Sequence, residues 1–289
     1  MACQICKNET IKDSIKVRDF EYDRNLFATY YTCGFCSTIY RNKLKKNTIE
    51  KLYTKSYLPI SGSLFYDFLK KINAQYEWHI IRKIIKNTFC EKKKIKILDL
   101  GCGKGFLLRL IAKTRKYKCH GFDINQKTEK NKNISFYKKS FNDFKAIKKI
   151  DPDIIILNNF IEHIEDLSDF KKLVECLNIN TYIIILTPNS NTLSCYTFGS
   201  YWSGYHSPRH ANIFNKKSFA VFLKCNNLTA SIRVMLDPLS LLVSLKNFLS
   251  DIKTKFTFYK LFLGLKIFTL VIFNLFAKTR LIVVCNKKK

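Results

Sequence analysis

From residue 96 onward, short runs of Ile, Leu and other apolar residues alternate with stretches of helical periodicity. The runs fall at 96–101, 118–124, 133–139, 153–159 and 181–188, and two more follow at 230–236 and 281–287. Runs with both faces apolar predict strands of a parallel sheet covered by helices on each side. Strand and helix alternating in this way predict a doubly wound α/β domain. Upstream, residues 47–94 read as helical, with Phe65, Phe68, Leu69, Ile72, Tyr76, Ile80 and Ile84 at spacings of three and four. Residues 1–46 show little apolar periodicity. The expected organisation is therefore a small module (1–46), a helical cover (47–94) and an α/β domain (95–289) with an insertion at 238–280.

Composition narrows the class. The chain has 289 residues, is 47% hydrophobic, and carries 51 Lys+Arg against 22 Asp+Glu for a net charge of +29. The apolar content excludes a disordered chain, and 9 Gly with 5 Pro excludes a collagen-like or linker-rich polymer. Nine of the basic residues are Arg, while Lys, Ile, Asn and Phe abound, a bias that AT-rich coding produces without functional pressure. Whatever its origin, the excess favours polyanions or anionic membrane surfaces as neighbours. Cys3 and Cys6 stand where a secretion signal would place its charged and apolar regions. The expectation is a cytoplasmic location in which the 11 cysteines stay reduced.

Cys3-x2-Cys6 and Cys33-x2-Cys36 are two pairs separated by 26 residues. Each CxxC turn lets two thiolates face one tetrahedral ion, and the second pair closes the site, so a structural Zn²⁺ saturated by four protein ligands is expected. A module this small buries little core by itself, and an ion that closes it is physically reasonable. Rival readings are a redox pair and four free thiols. Neither CxxC opens a helix within a βαβ pattern, which weighs against redox chemistry.

The stretch ILDLGCGKG (97–105) runs a buried strand into Asp99 and then sets Gly101, Gly103 and Gly105 at alternate positions before a helical segment. Glycines there let the backbone turn over the strand end and pass close to a ligand. Asp123 follows Gly103 by 20 residues, at the end of the next strand, where a carboxylate accepts both ribose hydroxyls of a nucleoside. The spacing is not the G-x-G-x-x-G of a dinucleotide site, and no Gly-Lys-Ser/Thr ending marks a P-loop.

With these residues the chain resembles class I S-adenosylmethionine-dependent methyltransferases over residues 75–236, closing with 281–287. The resemblance implies a seven-stranded Rossmann-like sheet and S-adenosyl-L-methionine as cofactor. Asp99, Gly101, Gly103 and Gly105 then form the cofactor loop and Asp123 binds the ribose. Asp143, after the third strand, takes the place of the acid near the adenine amine, with Phe141 or Phe144 as a packing ring. The rival reading of Asp143 is a helix N-cap. Asn158, at the end of the fourth strand, joins the cofactor-binding set.

In this fold the fourth strand's end faces the methyl group, and Glu162 and His163 follow it. His163 titrates naturally near neutrality and suits a hydroxyl nucleophile. The Glu-His pair is similar to that of ubiquinone-pathway O-methyltransferases and of deoxysugar C-methyltransferases, the latter also bearing an N-terminal zinc module and a large C-terminal domain that this chain lacks. His163 as a packing residue is the rival reading. The segment Asn158-Asn159-Phe160-Ile161 has no proline, unlike amino-methyltransferases of nucleic-acid bases, and no strand end offers the Pro-Cys or Thr-Cys of RNA C5 chemistry. After the fifth strand, a W…PRH…F segment resembles one in methyltransferases of polysaccharide and cell-envelope pathways. Trp202, Tyr205, His206, Arg209 and His210 are its candidate acceptor residues, with Arg209 suited to forked bonds to an anion. For His210 and Phe214 the favoured reading is as locks that hold the loop on the sheet.

Within the insertion, residues 261–277 contain one charge, Lys266, and residues 238–289 hold ten basic residues against Asp251. The expected sixth and seventh strands flank this insertion in one sheet, which argues against a single membrane crossing. Peripheral contact with an anionic membrane, at the inner face, is expected over an internal lid. Taken together, the sequence predicts methyl transfer to a hydroxyl of a sugar, nucleotide-sugar or lipid-linked glycan. The alternatives are an RNA-directed methyltransferase and a non-catalytic membrane-docking adaptor. Nucleic acid is the disfavoured partner.

Overall fold

The computed structural model describes residues 2–52, 64–89, 94–125, 129–130, 133–252 and 279–288. The chain begins with three short strands, β1 (Ile11–Arg18), β2 (Phe27–Cys33) and β3 (Ile39–Arg41), followed by helices α1 (Lys46–Leu52) and α2 (Leu64–Thr88). The alternating region then runs β4 (Ile95–Leu100), α3 (Phe106–Ala112), β5 (Tyr117–Asp123), β6 (Glu129–Lys130), β7 (Ile134–Lys138), α4 (Phe144–Ile150), β8 (Ile154–Asn158), α5 (Ser168–Cys176) and β9 (Tyr182–Pro188). It closes with α6 (Leu193–Phe198), β10 (Asn212–Ile213), α7 (Lys216–Cys225), β11 (Leu228–Met235), α8 (Pro238–Ile252) and β12 (Arg280–Lys287).

The large sheet has the order β11-β12-β9-β8-β4-β5-β7-β6. Seven of its strands are those the apolar runs predict, and β6 adds a two-residue antiparallel edge. β4 pairs in parallel with both β5 and β8, while β12 lies antiparallel between β9 and β11. The chain leaves β4 in one direction and returns to its other side at β8. That reversal makes a crevice at the carboxyl ends of β4 and β8, where open α/β sheets bind ligands.

The Ile runs explain why the sheet is covered on both faces. Successive strand side chains point to opposite sides. Ile155 and Leu157 accordingly join a core with Phe170 and Leu173, while Ile154 and Ile156 join a second core with Ile81, Leu108 and Ile111. α2 forms where the periodicity predicts it, but with another face inward. Phe68, Ile72 and Tyr76 are 56%, 46% and 38% exposed, and Ala74, Glu77, Ile81 and Ile85 are buried. The inward face carries a charge, Glu77, which an arginine on the last strand pairs. That partner overrides a hydrophobicity count.

The N-terminal strands do not form a closed unit of their own. Their antiparallel sheet has the order β1-β2-β3-β10, so its fourth strand comes from the segment after β9. Trp202, Tyr205 and Ile213 pack there with Val17, Tyr30 and Ile39. α8 occupies the start of the expected insertion and buries Leu241 and Phe248 against the same core. Among the described residues no helix is long and apolar enough to cross a membrane. The apolar stretch 261–277 lies outside the described residues.

Candidate active site

Gly101, Gly103 and Gly105 follow β4 with φ of +76°, +51° and +71°, a left-handed region that favours glycine. Two of them also need the missing side chain for packing. A Cβ on Gly101 would stand 2.1 Å from the Phe160 ring, and one on Gly105 would stand 2.5 Å from Phe136. A Cβ on Gly103 would meet nothing within 4 Å, so this residue faces open space. The Gly103 N–H donates to Asp123 Oδ2 at 3.0 Å, and Asn125 N donates to Oδ1 at 2.9 Å. The loop and the acid at the end of β5 are thus one hydrogen-bonded unit.

Asp99 lies beneath this loop with Oδ1 buried and without a hydrogen-bond partner. Burial, with the Glu77 and Asp123 charges nearby, pushes its carboxyl well above the usual range. Asp143 caps α4, accepting from Ala146 N at 3.0 Å, and Lys139 pairs with it and lowers its pKa. The Phe141 and Phe160 rings meet edge to face at 5.2 Å, linking this side of the crevice to Gly101.

At the end of β8, Asn158 belongs to a polar network that the sequence reading missed. Its Nδ2 donates to Glu77 Oε2 at 2.8 Å, while Arg280 donates to the side-chain oxygens of Asn158 and Asn159. Arg280 also pairs with Glu77 at 2.5 Å, both side chains being buried. The available signals were slight: one acid in a helical stretch and an arginine in a chain that otherwise favours lysine.

Glu162 and His163 fall on a 3-10 turn, Ile161–His163, directly after this network. Glu162 is fully buried, accepts from Thr187 Oγ1 at 2.9 Å through Oε2, and leaves Oε1 without a hydrogen bond. Burial pushes its carboxyl up to about 7. His163, His206 and His210 converge here. Their rings are 4.6 to 5.8 Å apart, each pair nearly perpendicular. His210 Nδ1 donates to the Gly204 carbonyl at 2.8 Å, which leaves the lone pair on Nε2, 3.9 Å from Glu162 Oε1. His206 Nε2 lies 3.2 Å from Glu21 Oε2. Burial lowers His163 to about 3 and His210 well below its ordinary value.

The other acceptor candidates build the wall that carries these histidines. Trp202 and Tyr205 are buried in the N-terminal core. Arg209 is buried, pairs with Asp19 at 2.9 Å and lies 4.0 Å from the centre of the Tyr22 ring. Tyr30 OH donates to the carbonyls of Tyr205 and His210, and Ser207 Oγ donates to Val17 O. Arg41 donates to Pro208 O and pairs with Glu165. All of these bonds except the Arg41–Glu165 pair run between the cysteine module and the histidine loop, and that pair ties the module to the segment after β8.

The four cysteines come together as one cluster, with all four sulfurs within 4.8 Å of one another. Cys3 Sγ lies 3.7 Å from Cys36 Sγ, and Cys6 Sγ lies 3.5 Å from Cys33 Sγ. A tetrahedral ion with Zn–S bonds of about 2.3 Å separates its sulfurs by about 3.8 Å, so the donor set and its spacing fit zinc. The module is also tied to the start of α7, since the capping residue Asn215 donates through Nδ2 to the carbonyls of Cys36 and Ser37.

A family model described as a methyltransferase domain matches residues 72–230. No curated protein matches the sequence. Among solved structures, a SAM dependent methyltransferase from Archaeoglobus fulgidus is 18% identical, covering 78% of this chain and 100% of its own with a TM-score of 0.48. A cyclopropane-fatty-acyl-phospholipid synthase-like protein from Lactobacillus casei ATCC 334 is 12% identical, covering 74% and 92%, with a TM-score of 0.48. The plantazolicin methyltransferase BpumL, in complex with a pentazolic desmethylPZN analog and SAH, is 17% identical, covering 84% and 91%, with a TM-score of 0.46.

Proposed function

The chain belongs to the methyltransferase-domain family and is an S-adenosylmethionine-dependent methyltransferase; from that premise we propose that its acceptor is a hydroxyl of a sugar, a nucleotide-linked sugar or a lipid-linked glycan. The observation that carries the cofactor assignment is the joined Gly103–Asp123 turn with the buried, unpartnered Asp99 Oδ1 beneath it. S-adenosylmethionine supplies a methyl group on a sulfonium, which a nucleophile displaces in line. Gly103 offers the open approach, Asp123 the acceptor for ribose hydroxyls, and Asp99 a carboxyl for a donor of the cofactor's amino-acid part. Gly101 and Gly105 shape the turn, while Asp143 and Asn158 line the adenine and methyl ends. Calorimetry with S-adenosylmethionine and its demethylated form tests this assignment. Heat of binding that falls in Asp123→Ala is expected, and no heat with the intact chain would overturn it.

For the acceptor, support comes from the chemistry at the carboxyl end of β8. His163 and Glu162 handle the hydroxyl proton, with His206 and His210 beside them and Trp202, Tyr205 and Arg209 holding the loop in place. A neutral imidazole accepts the proton that a hydroxyl loses during attack. In a panel of sugar, nucleotide-sugar and glycan acceptors, His163→Ala should lower turnover far more than cofactor affinity. Equal loss of both would reduce His163 to a scaffold residue.

The four cysteines are proposed to hold a structural Zn²⁺, since four protein thiolates leave no open position. Peripheral contact with anionic lipid is proposed for the insertion, on the strength of the ten basic residues against Asp251 over the insertion and the last strand, 238–289. Flotation with phosphatidylserine vesicles, with and without residues 255–280, tests it. Equal recovery of both versions in the soluble fraction would count against it.

A further inference from the structure

Besides the four thiols, one other group of potential ligands comes together among the described residues. His163, His206 and His210 each bring a ring nitrogen within 4.8 Å of those of the other two. Two separate parts of the chain supply them: His163 from the turn after β8, and His206 and His210 from the loop before β10. We propose that these three histidines form a second metal site, for a divalent transition ion such as Zn²⁺ or Co²⁺, distinct from the four-cysteine cluster.

The outer contacts of the rings carry the argument. Histidines that bind metals nearly always give their other nitrogen to a carbonyl or a carboxylate, which fixes tautomer and orientation. His210 does so here, and a carboxylate faces His206. His210 Nδ1 donates to the Gly204 carbonyl at 2.8 Å, and His206 Nε2 faces Glu21 Oε2 at 3.2 Å. A neutral imidazole with its proton so placed carries its lone pair on the opposite nitrogen.

Glu162 is an independent pointer. Its Oε1 is buried, lacks a hydrogen-bond partner and lies 3.9 Å from His210 Nε2. A buried carboxylate oxygen without a partner is costly, and an ion bound to the neighbouring imidazoles would compensate it. The frame is also set in advance. Tyr30 bonds to the His210 carbonyl, and Arg209, between the two loop histidines, is pinned by Asp19. Three imidazoles suit zinc, cobalt, nickel and copper, whereas four thiolates select zinc.

The ligand count has a consequence for the reaction. Three protein ligands leave a coordination position open, and the His206 side chain, 18% exposed, marks the accessible side. A hydroxyl oxygen bound there would lose its proton more readily than in water, and Glu162, whose Oε1 lies beside His210, would take it. His163 would then hold the ion in place of accepting the proton itself, with the ion acidifying the acceptor. This use rests on the hydroxyl-acceptor reading, but the metal site itself does not.

Cobalt titration of the metal-free full-length chain tests the site without any methyl transfer. Co²⁺ at the cysteine cluster gives thiolate-to-metal charge transfer, and Co²⁺ at the histidines gives ligand-field bands with no sulfur band. The expected wild-type result is saturation at two equivalents. His206→Gln/His210→Gln should saturate at one, with the thiolate band intact as evidence that the module is folded. The single variant His206→Gln, which alters a partly exposed ring, should weaken the second equivalent at least tenfold and keep the first. Wild-type saturation at one equivalent would overturn the proposal, and so would a second equivalent retained in the double variant. Cofactor calorimetry on the same samples reports separately on the methyltransferase reading.

Discussion

Arg209 Nη1 donates to Asp19 Oδ2 at 2.9 Å, although 190 residues separate the two and their side chains are 2% and 1% exposed. Asp19 is already committed on its other oxygen, which accepts from the backbone N–H groups of Glu21 and Tyr22. The guanidinium therefore docks onto a carboxylate whose position the N-terminal module has fixed. Because Arg209 lies between His206 and His210, this pair sets where the histidine loop sits.

Removing one partner leaves the other charge buried, which typically costs about 3–5 kcal/mol. Asp19→Asn should destabilise the chain by that order in urea unfolding. The double variant Asp19→Leu/Arg209→Met should lose clearly less than the sum of the single changes. Additive losses would show that the two side chains are not energetically coupled.

The three glycines after β4 should not respond alike to alanine. Each adopts a left-handed φ, which costs an L-residue about 1–2 kcal/mol. Gly101→Ala adds a clash with Phe160 and should lose more stability than that. Gly103→Ala meets open space, so its stability loss stays near the backbone cost while the new methyl group blocks the ligand's approach. Thermal unfolding and calorimetry on both variants should separate the two effects: stability in the first, cofactor affinity in the second.

Asp123 is expected to act on affinity more than on folding. Hydrogen bonds to a charged group are worth about 1.5–3 kcal/mol. Asp123→Ala should then weaken S-adenosylmethionine binding by roughly ten- to a hundred-fold. Loss of the Gly103 N–H bond adds a smaller structural cost, visible as a modest drop in unfolding midpoint.

How far the sequence reaches can be judged at particular residues. The β8 strand and the glycine turn were legible because each is written in consecutive positions: an Ile run buried on both faces, and alternate glycines with positive φ. The inward face of α2 was not, since Glu77 is buried only because Arg280, 203 residues away, pairs with it. The pairing of β3 with β10 and the Asp19–Arg209 bond are likewise products of long-range topology. The three-histidine cluster was half legible. Each histidine stood out singly as a candidate, but their convergence depends on a loop that the N-terminal module holds.

The pH response offers a check on burial. His120 sits on β5 with its ring nearly buried, and burial, helped by Lys118 and Lys96, lowers its pKa from 6.5 to about 4. Between those values the unfolded chain binds a proton that the folded chain refuses, so stability rises with pH. The contribution is complete above 6.5 and is lost as pH falls toward about 4. By about pH 5 the loss amounts to about 2 kcal/mol. His120→Leu loses packing at neutral pH but lacks this titration. Its deficit relative to wild type in urea unfolding should therefore shrink by that amount on acidification, and a constant deficit would show that His120 is hydrated.

Metal removal should reach the crevice through the N-terminal sheet. Without an ion the four thiols repel or protonate, and the turns at Cys3–Cys6 and Cys33–Cys36 lose their cross-link. β2 ends at Cys33, and Asn215 bonds to the Cys36 and Ser37 carbonyls, so the disturbance passes directly to β10 and the loop before it. The large sheet does not depend on these contacts. Chelation, or Cys36→Ser, should therefore expose residues 1–46 and the 196–214 loop to limited proteolysis while leaving cofactor binding within a few-fold of its original strength. Turnover should fall much further, because the histidines, and not the glycine turn, ride on the module. If chelation abolished cofactor binding as completely as turnover, the cysteine cluster would be supporting the whole fold and not the acceptor side alone.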